Sequence, residues 1–225
     1  MSKKIKYDQH YFEERQTVIW PIVKTVIFLA KSKCVNSILE VGVGTGWLLR
    51  ELKKAGFKVS GCDASAIAAK KAGVKLASAT NLPYRKASFD MLVAISLIEH
   101  LTKTEVDQFL KETQRVLKTN GLIFLVTPNY SSPARFIKDG KWFAYQDPTH
   151  INFYNQKSLS RLLVKHKFKN IQFTHKIPYY PKLDFLLPFN KQNLPGAINH
   201  AINYILISSP VALFRDSLWV KAENS

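Results

Sequence analysis

A short apolar run in this chain leads directly into a turn that has glycine at every second position. Residues 37–41 are mostly apolar, Gly42, Gly44 and Gly46 follow, and Trp47 to Gly56 then have the apolar spacing of a helix. Alternating glycines permit backbone dihedrals that other residues avoid, and they let a ligand approach the main chain. The pattern therefore predicts a strand, a glycine turn and a helix whose first N–H groups face a ligand.

The spacing around this turn distinguishes two kinds of ligand. A dinucleotide loop follows Gly-x-Gly-x-x-Gly and brings pyrophosphate to the helix end, whereas here Glu40 precedes three alternating glycines. A carboxylate in that place would repel pyrophosphate but would attract a cation. S-adenosylmethionine, a sulfonium amino acid with a free ammonium group, is such a ligand. The alternative is an ordinary strand-to-helix turn with a capping acid, because a lone glycine motif is a weak signal.

The charge balance is strongly basic. The 225 residues include 33 Lys and Arg against 16 Asp and Glu, a formal net charge of +17. Such a surface attracts nucleic acid, acidic lipid headgroups or a phosphorylated substrate. The basic residues are scattered, however, which is more typical of a solvated surface than of a binding stripe. An apolar content of 46% argues against wholesale disorder.

Cysteine usage and the N-terminus bear on the compartment. Cys34 and Cys62 are the two cysteines, and neither has a companion at zinc-ligand spacing. We therefore expect no metal site and a reducing, cytoplasmic setting, with a membrane-peripheral location as an alternative. The lysine-rich N-terminus lacks the apolar core and cleavage site of a signal peptide, so none is expected.

Further strand-like runs follow the glycine turn at regular intervals. They are Phe57 to Cys62, Val74 to Ala77, Ser88 to Ser96 and Leu122 to Thr127. Residues 103–117 have helical spacing, a helix is also expected from Ala64 to Lys71, and Ser78 to Pro83 are expected to form a turn. Strands that alternate with helices predict a doubly wound parallel sheet.

Asp63 ends the second predicted strand, 17 residues after Gly46. In nucleotide-binding folds an acid at this place accepts hydrogen bonds from the two hydroxyls of a ribose. An acid at a strand end also often caps the next helix. In combination with the glycine turn, we favour the ribose contact.

Taken together, the motifs resemble a class I S-adenosylmethionine-dependent methyltransferase of the ubiquinone and menaquinone methyltransferase kind. They are ILEVGVGTGWLL, GCDAS, ATNLPYRKASFDMLVAISLIEHL, RVLKTNGLIFLVTPN and DPTHINFYNQKSLSRLL, within roughly residues 38–173. The resemblance implies an α/β, Rossmann-like fold with a doubly wound, mostly parallel seven-stranded sheet. It also implies an antiparallel last strand and S-adenosyl-L-methionine as cofactor, and the length of the chain adds an extended C-terminal insertion.

The same resemblance assigns cofactor contacts to individual residues. The glycine turn would wrap the methionine part, the acid after the second strand would hold the ribose, and the next loop would contact the adenine. The residues so implied are Glu40, Gly42, Gly44, Thr45, Gly46, Asp63, Ala64, Ser78, Ala79, Thr80 and Ser96. Ser78 stands where many relatives have an aspartate, and backbone groups near Ala79 and Thr80 could replace that contact.

Methyl transfer to oxygen usually needs a general base, and histidine is the commonest one. His150, in Asp147-Pro148-Thr149-His150, and His100, after the fourth strand, both fall where ligands bind in such sheets. His150 is the better candidate, because nearby aromatic residues could wall an acceptor pocket: Trp142, Phe143, Tyr145, Phe153 and Tyr154. Each histidine also has a purely structural interpretation. Asp147 could orient a histidine or cap a turn before the proline.

Three regions are expected. Residues 1–36 form a helical cover. Its helix runs from Glu13 to about Lys31, and Pro21 should kink or divide this helix. Residues 37–176 and 215–225 form the S-adenosylmethionine-binding methyltransferase domain. Residues 177–214 form an insertion between the last two strands that is too long for a hairpin. Polar residues interrupt its apolar part, so a spanning helix is not expected, and the alternatives are a lid, a membrane-surface element, a dimer contact or ordinary core packing.

The sequence thus predicts a methyltransferase for a small-molecule, lipid-linked or glycan-linked acceptor, with methylation at oxygen. An anionic membrane surface is a possible partner. One rival is an RNA methyltransferase, which the charge suits, although neither a separate RNA-binding module nor an Asn-Pro-Pro-Tyr-type motif is recognisable. The other rival is a non-catalytic scaffold that retains the fold and the cofactor. The sequence does not predict the oligomeric state.

Overall fold

The structure is a computed structural model that describes residues 18–173 and 216–225. The beginning of the predicted first helix, at residues 13–17, lies outside the described residues. The predicted insertion at residues 177–214 lies outside them as well.

Seven strands form one sheet within the described residues, in the order β3-β2-β1-β4-β5-β7-β6. Their bounds are β1 (Ser37–Val41), β2 (Lys58–Asp63), β3 (Lys75–Leu76), β4 (Phe89–Ile95), β5 (Leu117–Pro128), β6 (Lys169–Phe173) and β7 (Ser217–Glu223). The pairs among β1 to β5 are parallel, and β7 is antiparallel to both β5 and β6. The predicted mostly parallel sheet with an antiparallel last strand is confirmed.

Helices cover both faces of this sheet. They are α1 (Trp20–Ser32), α2 (Trp47–Lys54), α3 (Ala66–Ala72), α4 (Lys103–Val116), α5 (Pro133–Lys138), α6 (Phe143–Gln146) and α7 (Gln156–Lys165). Buried residues of α1 and α2 share one apolar cluster with the sheet, and buried residues of α4 and α7 share another. This two-sided cover explains why β1 and β4 are almost continuously apolar. No helix in the described part of the chain is long and apolar enough to cross a membrane.

Pro21 lies at the start of α1 and not in its interior. The helix begins at Trp20, so the proline occupies its first turn, where an absent N–H costs no helical hydrogen bond. The carbonyl of Pro21 accepts a hydrogen bond from Thr25 Oγ1 at 2.8 Å. Pro21 therefore marks a helix start instead of a kink within the described helix.

The strand β5 begins five residues before the predicted Leu122. Leu117 pairs with Phe89, and the register then shifts before Leu122 pairs with Met91. Asn120, with φ of 61°, lies inside this irregular stretch. Asparagine tolerates positive φ better than most residues, so the strand can begin early and still turn the chain into its regular part.

Candidate active site

The glycine turn joins β1 to α2 at the carboxyl edge of the sheet. Gly42, Gly44 and Gly46 have φ values of 75°, 55° and 73°, which side chains disfavour. A Cβ on Gly42 would lie 3.1 Å from Leu97 Cδ1, and one on Gly46 would lie 3.0 Å from Ala72 Cβ. A Cβ on Gly44 would meet nothing within 4 Å. The turn is therefore packed against the protein at both ends and open at its centre.

Asp63 connects the end of β2 to this turn. Its Oδ2 accepts a hydrogen bond from the backbone N–H of Gly44 at 2.8 Å, and its Oδ1 accepts one from Ser65 N–H at 2.8 Å. The cap of α3 is Ser65, whose side chain accepts from Ala68 N–H at 3.4 Å. A carboxylate oxygen has two lone pairs, so Asp63 can brace the turn and still accept further hydrogen bonds. The predicted ribose contact remains a prediction, and exposed Ala64 lies beside it.

Glu40 lies under the turn with only 3% of its surface exposed. The backbone N–H of Leu49 bonds to the carboxyl group, and Oε2 has no hydrogen-bond partner among the described residues. Burial raises the pKa of Glu40 to about 8. A cation at this carboxyl group would compensate the charged form that burial disfavours. The arrangement therefore fits the ammonium end of S-adenosylmethionine.

Thr45 is buried within the glycine turn, and the other predicted cofactor residues lie after β3 and β4. Ser78 Oγ accepts from Thr80 N–H at 3.1 Å and lies 2.8 Å from Thr80 Oγ1, so Ser78 stabilises its own turn. Ala79 between them is buried in the core. Ser96 is exposed at the end of β4 with φ of 50°. Strained residues of this kind are frequent at ligand sites, which agrees with the predicted place of Ser96.

The structure brings His100 and His150 together. Their ring centroids lie 4.7 Å apart, with an angle of 60° between the ring planes. His100 ends a 3₁₀ turn (Ile98–His100) that follows β4, and His150 lies in the loop after α6. The backbone N–H groups of Ile151 and Asn152 both donate to the carbonyl of Glu99, at 2.9 and 3.1 Å. These bonds fix the loop to the turn.

Hydrogen bonds define the tautomer of each neutral histidine. His150 Nδ1 lies 2.8 Å from the carbonyl of Ala144, which can only accept, so Nδ1 carries the hydrogen. Thr149 Oγ1 donates its single hydrogen to Asp147 Oδ1 at 2.5 Å and therefore accepts from His100 Nδ1 at 2.8 Å. Both rings accordingly carry their lone pair on Nε2. Asp147 thus orients a histidine through Thr149.

Glu99 is a site residue that the sequence analysis does not single out. It is 1% exposed, and Thr127 Oγ1 donates to its Oε2 at 3.0 Å. Its Oε1 has no hydrogen-bond partner in the described part of the chain. Burial raises the pKa of Glu99 to about 7. One donor atom each from Glu99, His100 and His150 lie within 4.8 Å of one another. The available sequence signal is an acid in an apolar context directly after a buried strand.

The aromatic residues predicted to wall an acceptor pocket pack mainly against one another. Trp142 is fully buried, and its Nε1 donates to Asp216 Oδ1 at 3.1 Å. Its ring centroid lies 5.0 Å from that of Tyr145 and 6.4 Å from that of Phe153. Trp142 therefore anchors the loop to the residue before β7. Phe143 and Tyr145, 43% and 38% exposed, offer the accessible aromatic surface.

Comparison with known proteins identifies related sequences. The profile of a methyltransferase domain family matches residues 11–173. Over 120 residues the chain is 30% identical to the ubiquinone biosynthesis O-methyltransferase of Pelagibacter ubique. The aligned region covers 48% of this chain and 49% of that protein. Over 121 residues it is 31% identical to a Bos taurus protein named "Probable tRNA methyltransferase 9B". This aligned region covers 51% of this chain and 26% of that protein. The matches thus span about a quarter to a half of the relatives' lengths.

A solved structure has the same fold. It is a SAM dependent methyltransferase from Archaeoglobus fulgidus, with a TM-score of 0.68 over 96% of this chain and 100% of that one. The two sequences are 19% identical, so this likeness shows the fold alone.

Proposed function

The chain belongs to this methyltransferase domain family, and from that premise we propose that it is an S-adenosylmethionine-dependent methyltransferase that methylates an oxygen atom. The proposed acceptor is a small molecule or a lipid-linked or glycan-linked hydroxyl compound. The observation that carries the proposal is the pair formed by His100 and His150, with its lone pairs on Nε2. Such a pair can activate a hydroxyl group.

The glycine turn and Asp63 are the proposed cofactor residues. Gly44 leaves space at the centre of the turn, and Glu40 is proposed to receive the ammonium group. Asp63 is proposed to accept the ribose hydroxyls. The other proposed contacts come from the remaining predicted residues: Gly42, Thr45, Gly46, Ala64, Ser78, Ala79, Thr80 and Ser96. When bound, S-adenosylmethionine supplies a methyl group that is already activated on sulfur.

In the proposed reaction, His150 acts as the general base. Its Nε2 accepts the proton of the acceptor hydroxyl, and the oxygen lone pair forms the new C–O bond while the C–S bond breaks and its electron pair stays with sulfur. Asp147 Oδ2 lies 4.0 Å from His150 Nε2, close enough to stabilise the imidazolium that forms. The hydrogen bonds that the two rings donate to the Ala144 carbonyl and to Thr149 Oγ1 hold the rings in place, which reduces the cost of alignment.

The basic surface supports an acceptor at an anionic membrane. The excess of 33 basic over 16 acidic residues would attract acidic lipid headgroups. Cosedimentation with vesicles that contain acidic phospholipid, compared with vesicles of neutral phospholipid, measures this attraction. Equal sedimentation with both would contradict a membrane-surface acceptor.

An RNA acceptor is the second candidate. The same net charge of +17 and the similarity to a protein named as a tRNA methyltransferase support it. RNA binding by such a protein would weaken steeply as the salt concentration rises.

An acceptor panel tests the two candidates directly. The full chain is incubated with S-adenosylmethionine labelled in its methyl group and with phenolic small molecules, lipid-linked alcohols in vesicles, glycans or transfer RNA. We expect label on an oxygen of one of the first three classes and an equal amount of S-adenosylhomocysteine. Label found only on RNA, or only on nitrogen or carbon, would overturn the proposal.

A further inference from the structure

We propose that Glu99, His100 and His150 bind one divalent transition-metal ion of the Zn²⁺ or Mn²⁺ type. One donor atom of each residue lies within 4.8 Å of the other two. Two imidazole nitrogens and one carboxylate oxygen form a ligand set that suits Zn²⁺ or Mn²⁺ better than it suits Mg²⁺ or Ca²⁺. Ligand atoms around a tetrahedral ion lie about 3.4 Å apart, so small side-chain rotations would close the site.

The carboxyl group of Glu99 supplies a second, independent observation. It is 1% exposed, and its Oε1 has no hydrogen-bond partner among residues 18–173 and 216–225. A buried polar oxygen without a partner is costly, and a cation at this place removes the cost. Thr127 Oγ1 meanwhile holds the other oxygen at 3.0 Å, which orients Oε1.

The outer contacts of the two histidines also match those of metal ligands. Histidines that bind a metal almost always donate their other ring N–H to a backbone carbonyl, a carboxylate or water. Here His150 Nδ1 donates to the carbonyl of Ala144, and His100 Nδ1 donates to Thr149, which in turn donates to Asp147. In each neutral ring the lone pair is on Nε2, the form that a metal ion requires.

Three protein ligands would leave at least one coordination position for another oxygen. The proposed role of that position is to hold the acceptor hydroxyl and to lower its pKa, so that the proton passes to water. In this form the histidines act as ligands in place of a general base. The catalytic role rests on the proposed O-methylation, whereas the binding of the ion does not.

The proposal departs from the metal-free expectation of the sequence analysis. Glu99 and His100 are adjacent, but His150 comes from a separate loop that reaches them through backbone hydrogen bonds to Glu99. No spacing in the sequence reveals such a ligand set.

A titration with the ion alone tests the site. The full chain is stripped with a chelator and titrated with Zn²⁺, and separately with Mn²⁺, by calorimetry without cofactor or acceptor. We expect one ion per chain. Glu99→Gln and His150→Gln should each weaken binding at least ~100-fold, and the isosteric Thr149→Val, which removes an outer contact, by ~10–100-fold. The matched control is His166→Gln, since His166 is also buried but pairs with Asp107 at 2.7 Å.

Several results would overturn the site. They are a wild-type chain that binds no ion, an unchanged affinity in Glu99→Gln and His150→Gln, or an equal loss in His166→Gln. Circular dichroism checks each variant, and if Glu99→Gln does not fold, His150→Gln and Thr149→Val decide. Ion binding without methylation of any hydroxyl would refute the proposed function alone. Methylation that survives chelation in a chain that binds no ion would refute the metal site alone.

Discussion

The two halves of the candidate site are held together in different ways. The cofactor half is built from neighbouring strands and from hydrogen bonds donated by main-chain N–H groups, such as the one from Gly44 N–H to the carboxylate of Asp63. The acceptor half is built from side chains of two separate segments, joined by contacts such as that between Thr149 and His100. The first half therefore depends on backbone geometry and the second on individual functional groups. Substitutions in the two halves should have separable effects.

The two halves are in contact with each other. Leu97 lies against Gly42 of the glycine turn and is two residues before Glu99. A change that moves the turn can therefore move the acceptor residues, whereas a substitution of His150 leaves this contact intact. The comparison is most sharply tested by variants that change one half only.

The largest expected effect is on the chemical step. His150→Gln removes the proposed base, or ligand, and should reduce the rate of methyl transfer by ~10²–10⁴-fold. The affinity for S-adenosylmethionine should change less than ~2-fold, because the cofactor half keeps its main-chain bonds. Single-turnover kinetics and calorimetric titration measure the two quantities. A loss of cofactor affinity as large as the loss of rate would show that the halves are not separable.

The next effect is on cofactor affinity. Gly44→Val places a branched side chain in the open centre of the turn, at φ of 55°. We expect the affinity for S-adenosylhomocysteine to fall by ~100-fold, and the strained backbone to cost ~1–2 kcal/mol of stability. Titration calorimetry and urea unfolding measure these changes.

Gly73→Val is the matched control for that variant. Gly73 has φ of 65° and open space around its Cβ position, but it lies at the end of α3 outside the turn. It should lose similar stability and keep its cofactor affinity. Equal affinities in the two variants would remove the glycine turn from the site.

The smallest expected effect is the release of a proton from Glu40 when the cofactor binds. With a pKa of about 8, Glu40 is mostly protonated at pH 7 in the free protein. A bound ammonium group favours the carboxylate, so binding should release a proton and affinity should rise up to ~10-fold per pH unit below pH 8. Calorimetry in buffers with different ionisation enthalpies counts the protons, and Glu40→Gln should abolish the release.

The pH dependence of folding stability has the opposite sign to the pH dependence of cofactor affinity. Because the folded pKa of Glu40 is raised from 4.5, its contribution to stability is present below about pH 4.5 and is lost as the pH rises to about 8. Without cofactor, urea unfolding of the wild type should show this loss, and the Glu40→Gln variant should not. A cofactor affinity that does not depend on pH would place the cation elsewhere.

The cofactor half could largely be predicted from the sequence, because its parts are close along the chain. The order of strand, turn and helix and the place of Asp63 follow from local spacing. The individual roles of the three glycines cannot be derived from this local spacing. Gly42 and Gly46 are packed against Leu97 and Ala72, whereas a Cβ on Gly44 would meet no atom within 4 Å. Packing against a distant residue leaves no trace in a motif.

The acceptor half could be predicted only in part. The two histidines were identified as candidates, but the partners that fix them were not, since Thr149 and Ala144 meet the rings only after folding. Glu99 was not singled out, because the hydrogen bond to its carboxyl group comes from Thr127, which is distant along the chain. Trp142 was expected in a pocket wall and instead packs in the core.

The position of β7 between β5 and β6 has a consequence for the nascent chain. The only described partner of β6 is β7, whose residues leave the ribosome after it. Until residues 217–223 emerge, the edge of β5 that does not face β4 has no described strand partner, and such open edges promote aggregation. Synthesis of this sheet therefore includes a vulnerable interval, which ends only when β7 inserts between two strands that are already made.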